Sequence, residues 1–174
     1  MRAQFVLVPF ATLGIVAPAH AVVYMSVAQA QAMMFPGATF APEFKTLTKQ
    51  QVSAIEKASS VDVHNNDLKV WRVSTGGWFI ADQVVGKHEY IPLALGLDAQ
   101  GAVKAVEILE YREAYGDQVR NPAWRSQFTG KKHGAALTLT KDIQNISGAT
   151  LSSRHITDGI KRLLATYAIA IAQD

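Results

Sequence analysis

Residues 146–153 have the sequence Ile-Ser-Gly-Ala-Thr-Leu-Ser-Ser and join a turn to the last helix that the chain predicts. Gly148 lets the backbone bend because it has no side chain. The hydroxyls of Thr150, Ser152 and Ser153 come where the first N–H groups of a helix have no partner within it. Such a helix start, with its positive dipole end, favours a phosphate. The stretch therefore predicts either an anion site or a plain helix cap formed by Thr150 or Ser152.

The apolar residues that follow this stretch recur at helical spacing. They are Ile156, Ile160, Leu163, Leu164, Tyr167 and Ile171. Charged residues fall largely on the other faces, as in a surface helix that packs one side on the core. These positions predict a long amphipathic helix at the C-terminus.

Residues 147–152, Ser-Gly-Ala-Thr-Leu-Ser, resemble the flavinylation motif of the FMN-binding domain family. The family occurs in the C subunit of the sodium-translocating NADH:quinone reductase, in the G subunit of the related ferredoxin-linked complex, and in small exported flavoproteins. In it, a flavin transferase joins FMN through its phosphate to the motif's threonine, which is Thr150 here. The resemblance implies these cofactor-binding residues: Ser147, Gly148, Ala149, Thr150, Leu151 and Ser152. A second Gly-Ala-Thr, residues 37–39, lacks the leading serine and the helix start, so we do not expect Thr39 to carry flavin.

A second part of the resemblance lies in residues 110–119. Relatives often carry Glu-Thr-Pro-Gly-x-Gly in a loop close to the flavin, and Glu113 and Gly116 fit that pattern. Ala114-Tyr115 replaces Thr-Pro, and Gln118 replaces the second glycine. The resemblance implies that Glu113 and Gly116 also bind the cofactor. The residues themselves are equally compatible with a solvated or arginine-paired glutamate.

One departure from the family lies just before the motif. Many members have an aspartate two residues before the Ile-Ser-Gly-Ala-Thr run, and this chain has Gln144 there. The nearest carboxylate is Asp142, two residues further back. The sequence leaves open whether Asp142 replaces the missing group.

The composition excludes several function classes. The chain has 174 residues, of which 49% are hydrophobic and 18% charged, as in an ordinary globular protein with one core. A net charge of +3 without a long basic run gives no support for a nucleic-acid partner. The absence of cysteine excludes disulfides and thiol chemistry. The histidines lack metal-ligand spacing, and no dinucleotide fingerprint is present.

Residues 1–21 have the pattern of a secretory signal peptide, with a positive start, an apolar run at 5–17 and small residues around Ala21. The run is shorter than the roughly 20 residues that span a membrane, which favours cleavage over a retained anchor. We expect residues 22–174 to form one FMN-binding domain, periplasmic or otherwise exported.

The middle of the chain predicts two hairpins between helices. Residues 68–73 and 78–85 flank one turn, and residues 91–97 and 102–109 flank another. Short helices are expected at 26–34 and at 46–57, with Thr48 as cap. Residues 122–132 resemble a stretch of the family in which a short helix with aromatic residues precedes Gly-Lys, and Trp124 and Phe128, four residues apart, would share a face of that helix. We therefore expect an α+β fold: an antiparallel hairpin sheet with flanking helices and a long C-terminal helix.

These features together favour an exported electron-transfer flavoprotein that carries covalent FMN and exchanges electrons with a membrane-bound flavin or haem reductase. One alternative is a flavin-dependent reductase of a small acceptor, with Glu110, Glu113 and His88 as acid–base candidates. The other is a non-redox accessory or binding subunit whose motif only caps a helix. Four basic residues are candidates to offset phosphate charge: Arg120, Arg125, Lys131 and Lys132.

Overall fold

The computed structural model describes residues 22–172, so the predicted signal peptide lies outside the described residues. The strands of this part are β1 Val22–Val23, β2 Phe40–Pro42, β3 Lys45–Thr46, β4 Asp67–Val73, β5 Trp78–Val85, β6 Tyr90–Leu97, β7 Val103–Ile108 and β8 Glu110–Tyr111. Its α-helices are α1 Val27–Met34, α2 Lys49–Ser59, α3 Pro122–Arg125 and α4 Thr150–Thr166. Short 3₁₀ turns cover Asp117–Arg120 and Ser126–Phe128.

The main sheet is antiparallel, with the strand order β2-β4-β5-β6-β7, and β3 also pairs with β4. A separate pair joins β1 to β8. Both predicted hairpins are present, β4–β5 and β6–β7, and the predicted α+β class is confirmed. The short strands β1, β2, β3 and β8 were not predicted, because two or three residues show no alternation of apolar and polar side chains.

Helices cover both faces of the sheet. Neighbouring side chains of a strand point to opposite faces, and Phe79 and Ile80 of β5 accordingly belong to different buried clusters. Ile80 packs in the larger cluster, which α2 and α4 share with the sheet. Phe79 packs in the smaller cluster with Met34 and Phe35 at the end of α1. The core thus lies in two layers on either side of one sheet.

Reciprocal side-chain caps define the starts of α1 and α2. Ser26 Oγ and Thr48 Oγ1 accept from the N–H groups of Gln29 and Gln51, whose side chains accept from the cap N–H groups in return. The predicted Thr48 cap is confirmed. Helix α2 begins at Lys49 rather than at residue 46, because residues 45–46 pair with β4 as strand β3.

Helix α4 lies directly on strand β5. A Cβ atom at Gly159 would overlap a methyl group of Val84, so the glycine allows the close approach. Nearby, buried Arg162 donates to Asp82 Oδ2 over 2.8 Å, which adds an ion pair between helix and strand. The helix ends at Thr166 and continues as a wider π-type turn, Tyr167–Ile171, rather than as the regular helix that the spacing predicted.

Trp124 and Phe128 are buried with their rings 5.2 Å apart, edge to face, as expected for core residues rather than cofactor contacts. Trp124 Nε1 donates to the Gln144 carbonyl over 2.7 Å and so fixes the chain that leads into the motif. None of the helices within residues 22–172 has the length and apolar character needed to cross a bilayer.

Candidate functional site

A cavity of about 470 Å³ lies between the start of α4 and two neighbouring loops. This volume falls within the range of small-molecule and cofactor sites, about 300–1,000 Å³. The loops are the β5–β6 turn and the segment after β8. The cavity is lined by Lys87, His88, Glu113, Ala114, Tyr115, Gly148, Ala149, Thr150, Leu151 and Ser152. The structure thus brings together the two parts of the chain on which the family resemblance rests.

Helix α4 begins without a side-chain cap. Its N-cap residue is Ala149, whose N–H donates to the Ile146 carbonyl across the turn that Gly148 forms at φ +82°. The N–H groups of Thr150 and Leu151, in the first turn, have no acceptor within the helix. The alternative that Thr150 or Ser152 is only a helix cap is therefore wrong. The helix presents its N–H groups and positive dipole end at the cavity.

Thr150 is exposed at the first helical position, and its Oγ1 accepts a hydrogen bond from Asn145 Nδ2 over 3.0 Å. The amide of Asn145 occupies one lone pair of the hydroxyl and restricts its rotamer. The hydroxyl proton stays available to an outside base. Ser147 precedes the turn and is exposed, but it does not line the cavity.

Ser152 turns inward rather than toward solvent. Its Oγ lies 2.7 Å from the buried hydroxyl of Tyr111, which also donates to the Tyr115 carbonyl over 2.6 Å. Burial raises the pKa of Tyr111, so the phenol stays protonated at neutral pH. This chain of hydrogen bonds joins the first turn of α4 to the loop after β8.

Gly116 packs against the contact between the Tyr111 and Ser152 hydroxyls. It has φ +102°, and a Cβ atom there would lie 2.5 Å from Tyr111 Oη and 2.6 Å from Ser152 Oγ. A larger residue would be strained in its backbone and would also separate the two hydroxyls. The glycine that the resemblance singled out thus sits beside the start of α4.

Glu113 connects the two loops of the cavity. Its Oε1 accepts from the backbone N–H groups of His88 over 2.6 Å and Glu89 over 3.0 Å. Burial opposes ionisation of Glu113, but these N–H groups outweigh it and hold the carboxyl pKa below its usual range. Glu110, by contrast, lies off the cavity and pairs with Arg112 over 2.6 Å.

Acid is expected to weaken the fold through Glu113. A carboxyl whose pKa is lower in the folded state stabilises the fold fully above its unfolded pKa, about 4.3 for glutamate. That contribution is lost as the pH falls from there through the folded pKa. Urea unfolding of Glu113→Gln between neutral and acidic pH is expected to show lower stability than the parent at neutrality and a flatter acid profile. Glu110→Gln is the control, and equal acid profiles for parent and Glu113→Gln would contradict the assignment.

The basic side chains at the cavity are Lys87 and His88, at the tip of the β5–β6 hairpin. Sequence reasoning did not assign them to a phosphate, because nothing local indicates that this tip folds over the start of α4. The four basic residues proposed for that role lie elsewhere. Arg120 covers the Tyr24 ring, Arg125 pairs with Glu107, Lys131 lies 3.7 Å from Asp142, and Lys132 lines a separate cavity.

The carboxylate of Asp142 is hydrogen-bonded within its own loop. Its two carboxylate oxygens accept from the N–H groups of Leu137 and Thr138. Burial would raise the pKa of Asp142, but these N–H groups and Lys131 bring it below the usual range. Neither Asp142 nor Gln144 lines the cavity.

The second Gly-Ala-Thr copy has a different setting. Thr39 lies outside any helix, in the loop between α1 and β2, and its N–H donates to Ser74 Oγ over 2.9 Å. It thus lacks the uncapped helix start that Thr150 occupies. Within the described residues, no group of three or more histidine and acidic side chains is arranged to hold a metal ion.

The residues at the cavity fit a flavin phosphate. The helix start supplies unpaired N–H groups, Lys87 supplies positive charge, and Tyr115 and Leu151 add exposed apolar surface, being 85% and 46% accessible. One cavity can therefore accommodate both the anionic phosphate and the flat apolar ring of a flavin.

Known proteins resemble this chain in sequence and in fold. Residues 86–165 match the family model of the FMN-binding domain. The chain is similar to the G subunit of the Na(+)-translocating ferredoxin:NAD(+) oxidoreductase complex of Acetobacterium woodii, with 23% identity over 141 residues, which cover 73% of this chain and 68% of that protein. It also resembles the crystal structure of Shewanella oneidensis NqrC, with a TM-score of 0.51 and 18% identity over 75% of this chain and 68% of that chain.

The likeness to NqrC shows a shared fold. The family match begins in the β5–β6 turn and ends near the C-terminal end of α4, so it spans both loops and the helix start that enclose the cavity. Over residues 86–165, this chain matches the FMN-binding domain family.

Proposed function

We propose that this protein is an exported electron-transfer flavoprotein that carries FMN, joined through its phosphate, on the hydroxyl of Thr150. One observation carries the proposal: the hydroxyl is exposed at an uncapped helix start, beside a cavity within the matched domain. The similar protein of Acetobacterium woodii belongs to a ferredoxin:NAD(+) oxidoreductase complex, which favours electron transfer over a non-redox binding role.

The phosphate would be held by the first turn of α4. The N–H groups of Thr150 and Leu151 and the helix dipole favour negative charge there. Lys87 and His88 face the same cavity from the β5–β6 turn. Glu113 keeps that turn in place through its backbone bonds and leaves the two basic side chains exposed.

Attachment requires the Thr150 hydroxyl to act as a nucleophile. A phosphate monoester lacks a good leaving group, so the donor is an activated flavin phosphoanhydride presented by a flavin transferase. The bond from Oγ1 to phosphorus forms as the anhydride bond breaks, and the hydroxyl proton passes to a base of the transferase. The net gain is the mass of FMN less one water. The exposure of Thr150 gives a transferase access.

Bound flavin supplies the redox chemistry, and this chain supplies the tether, the orientation and the surrounding charges. A reductase would also need an acid–base group in the cavity. Glu113 is already bonded to two backbone N–H groups, and Glu110 lies off the cavity, which leaves His88 as the candidate. An electron carrier needs no such group, and the similar subunit of a ferredoxin:NAD(+) oxidoreductase complex favours a carrier that docks with a membrane-bound flavin or haem reductase.

The test is to express the full-length chain with a flavin transferase, isolate the exported protein and reduce it chemically without oxygen. It is then mixed with membranes or with a panel of small acceptors. Rapid reoxidation by membranes that slows at high salt supports a carrier, because docking of charged partners is steered electrostatically. Saturable turnover with one small acceptor, indifferent to membranes, would assign the reductase function instead.

Asn145→Ala is expected to slow flavin attachment several-fold. The substitution removes the amide that holds Thr150 Oγ1 over 3.0 Å, so the hydroxyl samples more rotamers. Time-resolved intact mass with purified transferase should show a lower maximal rate but little change in the substrate concentration that gives half of it. Asn121→Ala, which removes the cap of α3, is the matched control. An Asn145→Ala protein modified at the parent's maximal rate would refute this positioning role.

A further inference from the structure

Tyr115 is the most exposed of the large hydrophobic side chains in the described part of the chain, with 85% of its surface accessible. It lines the same cavity as Thr150. The family loop has a proline at this position, so the aromatic ring is a feature of this chain rather than of the family pattern. An aromatic ring left in water beside a cavity indicates a surface that binds something apolar.

The backbone that carries Tyr115 is fixed at several points. Its carbonyl accepts from the Tyr111 hydroxyl over 2.6 Å, and Gly116 packs against Tyr111 and Ser152. Two residues earlier, Glu113 is bonded to the β5–β6 turn. The exposure of the ring therefore does not come from an unanchored loop. The ring is held at the cavity by the same contacts that place the start of α4.

The other exposed aromatic side chains, Phe44 and Tyr90, lie outside the cavity lining. Phe44 packs edge to face on Trp71, with 4.8 Å between the ring centroids. Tyr90 lies in strand β6 opposite Val85. Tyr90 and Tyr115 both lack an aromatic or cationic partner for the ring among residues 22–172, but of the two only Tyr115 lines the cavity. Its ring face is thus available to a planar ligand.

We propose that Tyr115 stacks on the isoalloxazine ring of the flavin and covers one of its faces. The inference rests on the proposed function, since it takes FMN as the occupant of the cavity. A flavin tethered at Thr150 has its phosphate at the helix start and its planar ring in the remaining space, where Tyr115 and Leu151 provide apolar surface. Offset stacking of aromatic rings is favourable beyond the area that it buries. Tyr115 is therefore a cofactor-positioning residue.

The test measures how easily acrylamide, a neutral collisional quencher, reaches the flavin. The parent, Tyr115→Phe, Tyr115→Ala and Tyr90→Ala are each expressed with a flavin transferase, and intact mass confirms the adduct. Tyr115→Ala is expected to raise the acrylamide quenching constant of flavin fluorescence several-fold. Tyr115→Phe keeps a ring and should match the parent. Tyr90→Ala removes an exposed tyrosine outside the cavity lining and should also match the parent.

The outcomes separate the two proposals. A modified Tyr115→Ala protein whose quenching constant equals the parent's overturns the stacking and leaves the attachment intact. A parent protein that never acquires the FMN adduct overturns the proposed function and the stacking with it. Thermal unfolding of all four proteins checks the fold, and Tyr115 is exposed enough that its substitution should leave the midpoint unchanged.

Discussion

Thr150→Val is expected to abolish covalent flavin attachment completely. Valine has almost the shape of threonine but no oxygen, so the helix start persists while the nucleophile is lost. Thr150 is exposed, and the substitution should change stability by no more than about 0.5 kcal/mol. Intact mass after co-expression with a flavin transferase should give the bare chain. The parent should gain the mass of FMN less one water.

The chain contains a matched control for this substitution. Thr39→Val alters the threonine of the second Gly-Ala-Thr, which lies in a loop and not at a helix start, and it should leave modification unchanged. The proteolytic peptide of residues 146–154 should carry the flavin in the parent. Recovery of that peptide bare from a modified protein would show that another residue is the attachment point.

Gly116→Ala is expected to destabilise the protein by about 3 kcal/mol, as the sum of a left-handed backbone strain of about 1–2 kcal/mol and an overpacking cost of about 1–3 kcal/mol. The new methyl group would lie 2.5 Å from Tyr111 Oη and 2.6 Å from Ser152 Oγ, so these two groups must separate. Chemical unfolding of the purified protein measures the loss of stability. Flavin attachment should slow as well, because Ser152 belongs to the first turn of α4.

Gly130→Ala distinguishes the cost of backbone strain from the cost of overpacking. Gly130 has φ +78°, but a Cβ atom added there would meet nothing within 4 Å, so only the backbone strain applies. We expect it to cost about 1–2 kcal/mol. Equal losses for the two variants would mean that the contact among Gly116, Tyr111 and Ser152 is not tight in solution.

The elements of the fold that depend on residues close together in sequence could be predicted. The two hairpins follow from apolar runs that flank turn residues, and the start of α2 follows from Thr48 and Gln51, three residues apart. The amphipathic spacing of α4 likewise predicts the face that it buries. Its last turn departs from the prediction at Tyr167, where the hydrogen bonds widen to a π-type turn.

The site could be predicted only in part, because its walls come from distant segments. The motif indicated Thr150, but the helix-cap alternative failed since Ser152 bonds instead to Tyr111, 41 residues away. The position of the two basic residues at the cavity was not predicted, for the same reason. Lys87 and His88 reach it because Glu113 fastens their turn to a loop about 25 residues further along the chain. No pattern of residues near Lys87 and His88 in the sequence indicates the contact with Glu113.

The seating of α4 on β5 through Gly159 and the Arg162–Asp82 pair bears on the rate of electron exchange. Strand β5 leads directly into the turn that carries Lys87 and His88, so these contacts connect the two walls of the cavity. When a group bound between these walls gains or loses an electron, the surrounding protein dipoles are already oriented. The protein therefore has to move little. For the carrier function proposed above, this arrangement favours a low reorganisation energy, which lets electrons pass quickly with little driving force.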